Sequence, residues 1–455
     1  MFIFCFIINR KLMGTILTVY QKQVVLIGVI LPSEEKTDLN NNNLASLEEL
    51  SSLASTAGVV VVGEIIQNRK KPDPTYYVGK GKLEEVVRLI KDKNANGIIF
   101  NADLSPAHIR NLESILHVSV IDRTELILSI FNIHARTRQA KLQVELAQLE
   151  YTLPRLKHLW GHLSRLGGSG GVKIGMRGPG EKQLEVDRRL IFQRITSLKK
   201  DIKEIQTRRQ LEVSRRSEEF TVALVGYTNT GKSTLMNALT SLNQLTEDKL
   251  FSTLDTKTYL WKLKSGQKVF LSDTVGFIKN LPHHLVSSFH ATLEEVRQAD
   301  LLLHIVDASS NEAEQQIDAV NIVLKQIECA DKETIIVLNK IDQADAIELE
   351  ILKKRSPRAC PISALKRIGL DSLERRIEEI INNRQVELST RIPVENGRLM
   401  AYLHEHGVIS QKTLIKNSYF DIKVRLGQHD LLKAKELGLP LKKSEIKSLK
   451  LSSVT

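Results

Sequence analysis

The sequence predicts a multidomain α/β protein whose two largest parts are parallel sheets covered by helices. Short apolar runs rich in Val and Ile alternate with helical patterns over about 21–134, and the same alternation returns over about 220–384. Near-continuous apolar strands separated by helices are typical of parallel sheets that are covered on both faces. The 455-residue chain is also long enough for about three or four domains of ordinary size.

The first α/β region, 21–134, is predicted to hold four strands and at least two helices. A Ser-Pro pair at Ser105 has the chemistry of a helix start, because Ser caps a helix and Pro suits its first turn. Leu44–Ser55 is the other helix candidate, and Asn40–Asn43 and Asn68–Pro74 are predicted loops. The strand candidates are Val24–Leu31, Val59–Gln67, Gly97–Phe100 and Val118–Asp122.

The next region, 135–219, is predicted to be an antiparallel hairpin of two helices. Leucines alternate spacings of four and three on the first helix, and Ile and Leu do the same on the second. The alternative is that both helices pack on neighbouring domains, and Pro154 is expected to kink or divide the first helix. The two seams are Leu142, Leu146, Leu149, Leu153 and Leu156, and Ile191, Ile195, Leu198, Ile202 and Ile205.

Between the seams lies a basic, glycine-rich tip, in which seven of the fourteen residues 167–180 are glycine. Over 136–182, nine Lys or Arg face three Asp or Glu, so half of the chain's net charge of +12 is carried there. Such a surplus favours an anionic partner, most plausibly nucleic acid. The candidate RNA-binding residues are Lys173, Arg177 and Lys182; the alternative is a flexible linker, which is common for glycine-rich segments.

The second α/β region, 220–384, contains a predicted phosphate-binding loop. The strand Phe220–Gly226 runs into GYTNTGKS, and a helical pattern follows. This strand–GxxxxGK[ST]–helix context lets backbone N–H groups surround phosphates at the positive end of a helix. Lys232 is expected to reach the β- and γ-phosphates, and Ser233 is expected to hold Mg²⁺.

Three further motifs in the same order predict that the bound nucleotide is GTP and that the domain hydrolyses it. Asp273 and Gly276 of DTVG would serve Mg²⁺ and the γ-phosphate, and Asp342 of NKID would accept from the N1–H and amino group of guanine. Ser363-Ala364 would present a backbone N–H to the guanine oxygen. The predicted nucleotide-binding residues are Gly226, Tyr227, Thr228, Asn229, Thr230, Gly231, Lys232, Ser233, Thr234, Asp273, Asn339, Lys340, Asp342, Ser363, Ala364 and Leu365.

The predicted catalytic residues are Lys232, Thr253 and Gly276, and the predicted Mg²⁺ ligands are Ser233, Thr253 and Asp273. Thr253 lies in LFSTLDTKT, where a switch loop belongs, with Thr256 and Thr258 as rivals. Phe277 stands where Ras-like proteins carry a water-orienting Gln, which predicts slow intrinsic hydrolysis that a large ligand stimulates. A Phe that simply packs under the switch is equally compatible.

The ends of the chain carry weaker signals. Residues 1–20 form an N-terminal extension whose apolar run, Phe2–Ile8, is too short to span a bilayer. We interpret it as an upstream start, with Met13 as a candidate true start and a weak membrane anchor as the alternative. Residues 385–455 predict a small α+β domain with a Lys-rich end. Three cysteines without metal or disulfide spacing suit a reducing cytosol, so a cytoplasmic monomer without stable membrane insertion is expected.

Taken together, these motifs resemble the HflX family of ribosome-associated GTPases. The resemblance covers about 21–384 and is carried by YYVGKGKLEE, GGSGGVKIGMRGPGEKQLE, GYTNTGKS, STLDT, DTVGF, NKID and SAL. It implies GTP-dependent binding to the large ribosomal subunit and its RNA, with dissociation or rescue of stalled ribosomes. It also implies that Asn229 helps to bind K⁺ beside the phosphates, although a loop-shaping role is equally compatible.

Two other functions are compatible with the sequence. One is a GTP-regulated signalling or scaffold protein that binds a protein partner, and the other is an RNA-remodelling protein that uses ATP at its N-terminal domain. YVGKGK at 77–82 invites the second idea, but a turn that enters a helix explains it as well.

Overall fold

The structure is a computed structural model that describes residues 22–31, 41–156, 179–214, 220–240, 250–251, 256–278, 290–384, 386–415 and 418–440. The described residues form three sheets, one in each of three α/β or α+β units, and a pair of packed helices lies between the first two units. The predicted fold class is therefore confirmed. Among the described residues, no helix combines the length and the apolar character needed to cross a membrane.

The N-terminal domain is a four-stranded parallel sheet in the order β2-β1-β3-β4. Its inner strands are apolar and buried, as the continuous Val and Ile runs predict. Its elements are β1 (Gln23–Ile30), α1 (Asn41–Thr56), β2 (Val60–Asn68), α2 (Lys80–Asp92), β3 (Gly97–Phe100), α3 (Pro106–Leu116), β4 (Ser119–Ile121) and α4 (Arg123–His134).

Two helices of this domain begin after a residue whose side chain caps the first turn. Ser105 caps α3, where its hydroxyl accepts from the backbone N–H of His108 at 3.2 Å with Pro106 in the first turn. Asp122 caps α4 in the same way, by accepting from the N–H of Glu125 at 2.8 Å. The loop predicted at Asn40–Asn43 was wrong in part, because 41–43 form the first turn of α1.

The helical pair consists of α5 (Arg138–Thr152) and α6 (Pro179–Ser214), and a 3-10 turn at Leu153–Arg155 extends α5 where Pro154 interrupts it. Nine of the ten predicted seam residues, all but Ile205, pack in one apolar cluster. Two ion pairs join the helices beside the seams, Arg194 with Glu145 at 2.8 Å and Lys199 with Glu150 at 2.8 Å. The opposite face of α5 packs into the N-terminal domain, so the alternative prediction also holds for this helix.

The third unit is a six-stranded sheet in the order β10-β9-β8-β5-β7-β6, parallel except for β6. Its elements are β5 (Phe220–Gly226), α7 (Lys232–Thr240), β6 (Lys257–Lys262), β7 (Lys268–Asp273), α8 (His290–Gln298), β8 (Leu301–Asp307), α9 (Ala313–Gln326), β9 (Thr334–Asn339), α10 (Ala346–Arg355), β10 (Cys360–Pro361) and α11 (Leu370–Arg384). The carboxyl ends of β5, β7 and β9 share one edge, which is where ligands bind in such sheets.

The C-terminal unit is a three-stranded antiparallel sheet in the order β11-β13-β12, with two helices on one face. Its elements are β11 (Val386–Pro393), α12 (Gly397–His406), β12 (Val408–Ile415), β13 (Tyr419–Leu426) and α13 (Gln428–Glu436).

Candidate nucleotide-binding site

The phosphate-binding loop joins β5 to α7 and leaves no room for side chains at its glycines. Gly231 has φ +89, and a Cβ there would lie 2.3 Å from the Asn339 side-chain amide. Only glycine meets both requirements. The loop therefore lies close against the end of β9, so the two motifs form one continuous surface.

Lys232 lies buried beneath this loop, with its ammonium directed at the loop carbonyls. Its Nζ donates to the oxygen of Tyr227 at 2.6 Å and to that of Gly226 at 3.1 Å. Burial lowers the pKa of Lys232 to about 8, while the nearby Asp273 carboxylate acts in the opposite direction. A bound phosphate would raise this pKa and so favour the charged form further.

Ser233 and Asp273 bring two hard oxygen ligands together beside Lys232. The Ser233 hydroxyl donates to Asp273 Oδ2 at 2.6 Å, and Asp273 is the last residue of β7. Hydroxyl and carboxylate oxygens are the ligands that Mg²⁺ prefers, so this pair fits the predicted metal. The third predicted ligand, Thr253, lies outside the described residues.

The guanine-binding end is assembled by hydrogen bonds within the same domain. Asn339, which is buried at the end of β9, donates from Nδ2 to the oxygen of Thr230 at 2.8 Å and accepts at Oδ1 from the N–H of Ala364 at 2.9 Å. It thus joins three predicted motifs. Lys340 pairs with Asp307 at 2.7 Å, which fixes the first turn after the strand.

Asp342 is held as a carboxylate at this end of the site. A hydrogen bond from Ser363 lowers the pKa of its carboxyl, and Lys366 Nζ lies 3.5 Å from Oδ2. A charged carboxylate accepts two hydrogen bonds, as the edge of guanine requires. Leu365, another predicted contact, is exposed beside Ala364.

The γ-phosphate end is formed where the loop meets DTVGF. Phe277 donates its N–H to the oxygen of Gly226 at 3.0 Å, and Thr228 donates its N–H to the oxygen of Phe277 at 2.8 Å. The Phe277 ring is buried in the apolar core, as the packing interpretation predicts. Asn229 is exposed with φ +60, a conformation that Asn tolerates well, so its loop-shaping role is explained by the backbone alone.

The rival switch residues differ in their surroundings. Thr258 lies in β6, where its hydroxyl is bonded to Ser272 at 2.9 Å and donates to Glu295 at 3.1 Å. These hydrogen bonds hold the Thr258 hydroxyl within the sheet. Thr256 is buried at the start of that strand. The candidate RNA-binding residues Lys173 and Arg177 lie outside the described residues, and Lys182 lies in the first turns of α6, where side chains are not described.

The N-terminal domain contacts the phosphate-binding loop directly, which sequence reasoning missed. The Tyr227 side chain turns away from the nucleotide position, and its hydroxyl donates to Glu49 of α1. Arg123 of α4 donates to the same Glu49 at 2.8 Å and to Asn101 at 2.6 Å. Because Glu49 is mostly buried, this bonded trio ties the loop to two helices of the other domain.

An apolar cluster extends the same contact to the switch segments. Phe131 of α4 meets Phe251 edge to face, with ring centroids 4.7 Å apart. Val275 and Phe277, next to the γ-phosphate end, belong to the same cluster as buried α4 residues. Phe251, Val275 and Phe277 lie in predicted motifs, but no motif predicts the contact itself, because an apolar residue that faces another domain has the same pattern as one that faces its own core.

Comparison with known proteins agrees with this geometry. Three family models match, described as GTP-binding GTPase N-terminal over 44–132, GTP-binding GTPase Middle Region over 134–216 and 50S ribosome-binding GTPase over 221–340. The GTPase HflX of Caldanaerobacter subterraneus subsp. tengcongensis is 44% identical, with 86% of this chain and 88% of that protein covered. The chain belongs to the HflX family of GTPases.

Another HflX relative and a solved structure also match this chain. The GTPase HflX of Escherichia coli (strain K12) is 38% identical over 89% of this chain and 93% of its own. A GTP-binding protein from Sulfolobus solfataricus, solved in complex with GDP, is 27% identical, covers 79% of this chain and 98% of its own, and has a TM-score of 0.41. The predicted HflX resemblance and the predicted hydrolysis of GTP are confirmed.

Proposed function

We propose that this HflX GTPase binds the large ribosomal subunit when it holds GTP, dissociates or rescues stalled ribosomes, and leaves after hydrolysis. The proposal is supported by the family model over 221–340, whose description is a 50S ribosome-binding GTPase. It is also supported by the net charge of +12, half of which lies in 136–182. Ribosomal RNA is the anionic partner that such a surplus fits. A cytoplasmic location follows from that partner and belongs to the proposal.

The observation that carries the proposal is a continuous packed path from the GTP site to the helical pair. The phosphate-binding loop and the switch residue Phe251 contact α1 and α4 of the N-terminal domain. That domain in turn holds the end of α5. Tyr151 donates to Asp122 Oδ1 at 2.7 Å, and Arg155 donates to Asp122 Oδ2 at 3.0 Å and to the oxygen of Leu104 at 3.0 Å.

This anchor holds the carboxyl-terminal end of α5, which precedes the basic tip in the sequence. The Arg155 guanidinium also stacks on the Tyr151 ring, 3.5 Å from its centroid. A stacked, multiply bonded Arg has little freedom to reorient. A change at the switches that moves α4 would therefore move Asp122, its first-turn cap, and α5 with it. We propose that GTP controls RNA binding at the tip by this route.

The same proposal includes the metal ions of the reaction. Ser233, Asp273 and Thr253 would hold Mg²⁺, which would neutralise charge on the phosphate oxygens during the reaction. K⁺ beside Asn229 is a further part of the proposal. GTPase rates in matched KCl and NaCl test the K⁺ role: a faster rate in KCl supports it, and equal rates contradict it.

The ribosome proposal is tested by sedimenting the protein with ribosomes through sucrose gradients. With a non-hydrolysable GTP analogue the protein is expected to migrate with the large subunit and to reduce the amount of intact ribosomes. With GDP it is expected to stay near the top. Equal behaviour in both nucleotides, or no association, would contradict the proposal and favour a protein partner instead.

The role of the tip is tested by replacing Lys173, Arg177 and Lys182 together with Ala. Ribosome binding is expected to weaken, while GTP affinity is retained. The slope of the logarithm of the binding constant against the logarithm of salt concentration is expected to become shallower by roughly 0.7–0.9 for each lost phosphate contact. The matched control replaces three exposed lysines of the GTPase domain, Lys268, Lys325 and Lys354. If the control variant loses as much binding as the tip variant, the tip has no special role.

A further inference from the structure

Thr228, in the phosphate-binding loop, carries a buried hydroxyl that the protein does not satisfy. Its residue is 5% exposed, and within the described structure Oγ1 has no hydrogen-bond partner. Buried polar groups are nearly always bonded, so an isolated one needs an explanation, and an absent ligand is one of the few that exist. Within the described residues, no protein group accounts for the Thr228 hydroxyl.

Neighbouring hydroxyls in the same motifs are all engaged, which sets Thr228 apart. Thr230 Oγ1 donates to the oxygen of Tyr227 at 3.0 Å, Ser233 Oγ donates to Asp273 at 2.6 Å, and Thr274 Oγ1 donates to the oxygen of Leu224 at 2.7 Å. Each of these three has a structural or metal-related partner. Among these four hydroxyls, only that of Thr228 has no hydrogen-bond partner within the described residues.

Thr228 lines the γ-phosphate end of the site. A Cβ added to Gly276 would lie 2.9 Å from both Cα and Cγ2 of Thr228 and 3.1 Å from Lys232 Nζ. Thr228 and Lys232 Nζ therefore both lie next to Gly276. In phosphate-loop GTPases the Lys contacts the β- and γ-phosphates, so a residue that lies with this Lys beside Gly276 borders the reacting phosphate.

The residue that usually orients the attacking water cannot do so here. Phe277 follows Gly276, its ring is buried in the core, and it has no polar atom to offer. A hydroxyl can accept a hydrogen bond from water while it donates to a phosphate oxygen, which is the pair of bonds needed to align a water with phosphorus. Thr228 has these properties.

We propose that Thr228 is a catalytic residue that aligns the attacking water with the γ-phosphate of GTP, in place of the Gln of Ras-like proteins. In this step the water oxygen forms a bond to the γ-phosphorus, and the bond from that phosphorus to the bridging oxygen breaks. The electron pair stays with GDP, and the water proton passes to the released phosphate. The Thr228 hydroxyl gains and loses no proton overall. The proposal rests on GTP hydrolysis alone and does not depend on ribosome binding.

The test compares Thr228→Val, which removes the hydroxyl and keeps the branched shape, with Thr228→Ser, which keeps the hydroxyl. Single-turnover GTP hydrolysis is expected to slow by about ten- to a hundredfold in the Val variant, as for loss of one aligned polar group. The Ser variant is expected to stay within about threefold of the wild type. GDP affinity is expected to be unchanged in both, since the β-phosphate contacts remain.

A second readout is the formation of a stable GDP–aluminium fluoride complex, which mimics the transferring phosphate. Thr228→Val is expected to lose this complex while it still binds GDP, and Thr228→Ser is expected to retain it. Thr221→Val is the matched control for the same exchange at β5, because its hydroxyl is bonded to Asp300 at 2.8 Å outside the site. Wild-type hydrolysis in Thr228→Val, or equal losses in the Val and Ser variants, would overturn the proposal.

Discussion

The two ends of the nucleotide site are built in different ways. At the guanine end, Asn339 bonds to Thr230 and Ala364, so one domain alone assembles the base pocket. At the γ-phosphate end, Tyr227 bonds to Glu49 and Phe251 packs on Phe131, so two domains share the surface. The proposed control by GTP therefore acts at the γ-phosphate end, whereas the described hydrogen bonds of the base pocket lie within the GTPase domain.

The difference also explains what such a site can control. Guanine is common to GTP and GDP, so a self-contained pocket keeps the protein loaded in both states. The γ-phosphate distinguishes the two states, and Tyr227 and Phe277, beside its predicted position, contact the N-terminal domain. A ligand shifts a conformational equilibrium only by its difference in affinity for the two conformations. A domain contact at the γ-phosphate end would supply that difference.

The largest expected effect comes from Lys232→Ala, which removes a charge used at the phosphate end. Hydrolysis is expected to fall by about a thousandfold, because a buried ammonium that stabilises the transferring phosphate is lost. Affinity for GTP should fall more than affinity for GDP. Stopped-flow nucleotide binding and single-turnover hydrolysis measure both quantities. Equal losses of affinity for GTP and for GDP would contradict the proposed difference between the γ-phosphate end and the guanine end.

The next effect comes from Asp342→Asn at the guanine end. GTP affinity is expected to fall by about a hundredfold, since an amide cannot accept both hydrogen bonds from the base. Affinity for xanthosine triphosphate should rise, and the contact between Tyr227 and Glu49 should be untouched. Competition binding with GTP, ATP and xanthosine triphosphate measures this. A gain for ATP would show that the base pocket is not selective in the predicted way.

A smaller effect is expected from pH, through Lys232. Burial holds the pKa of this residue at about 8 in the nucleotide-free protein, below its usual value of 10.5. Bound phosphates raise the pKa of Lys232, so nucleotide binding above pH 8 is accompanied by uptake of a proton. Nucleotide affinity should therefore fall as pH rises above 8, by at most about tenfold per pH unit. Between pH 8 and 10.5 the unfolded chain binds more protons at this residue than the folded one does. The free protein should accordingly gain stability as pH rises through that window.

Titration calorimetry between pH 7.5 and 9 in buffers of different ionisation heat measures the proton uptake. No uptake at pH 8.5 would mean that Lys232 is already charged there before the nucleotide binds.

The smallest effect is expected from Tyr227→Phe and Glu49→Gln, which break one bond of the shared surface. Loss of a buried hydrogen bond to a carboxylate costs about 1–3 kcal/mol, so the domains should separate more easily while GDP affinity changes by less than about threefold. Thr221→Val, remote from the contact, is the matched control. Hydrogen exchange in α1 measures the effect. Unchanged exchange in both variants would mean that this bond contributes nothing to the domain contact.

Sequence reasoning reached one end of the site more completely than the other. The loop Gly226–Ser233, Asp273 and Asn339 are local motifs, and their chemistry can be derived from short runs of sequence. The bond from Tyr227 to Glu49 joins residues 178 positions apart, and neither residue belongs to a motif that predicts the pairing. Phe277 was recognised as unable to orient water, but its burial against the other domain needed the structure.

Parts of the fold were missed for equally physical reasons. Strand β12, Val408–Ile415, is exposed along most of its length, so it lacks the apolar alternation that predicts a strand. Only its pairing with β13 makes it a strand. Residues 41–43 are asparagines, which favour loops. The helix α1, whose later residues pack in the domain core, nevertheless extends to include them as its first turn.

The central claim, that the γ-phosphate acts on the N-terminal domain through the shared surface, is tested most directly by hydrogen exchange in two nucleotide states. We predict that exchange in α4, Arg123–His134, differs between the protein bound to a non-hydrolysable GTP analogue and the protein bound to GDP. Exchange around Asn339 and Ala364 should be the same in both. Identical exchange of α4 in the two states would contradict the account.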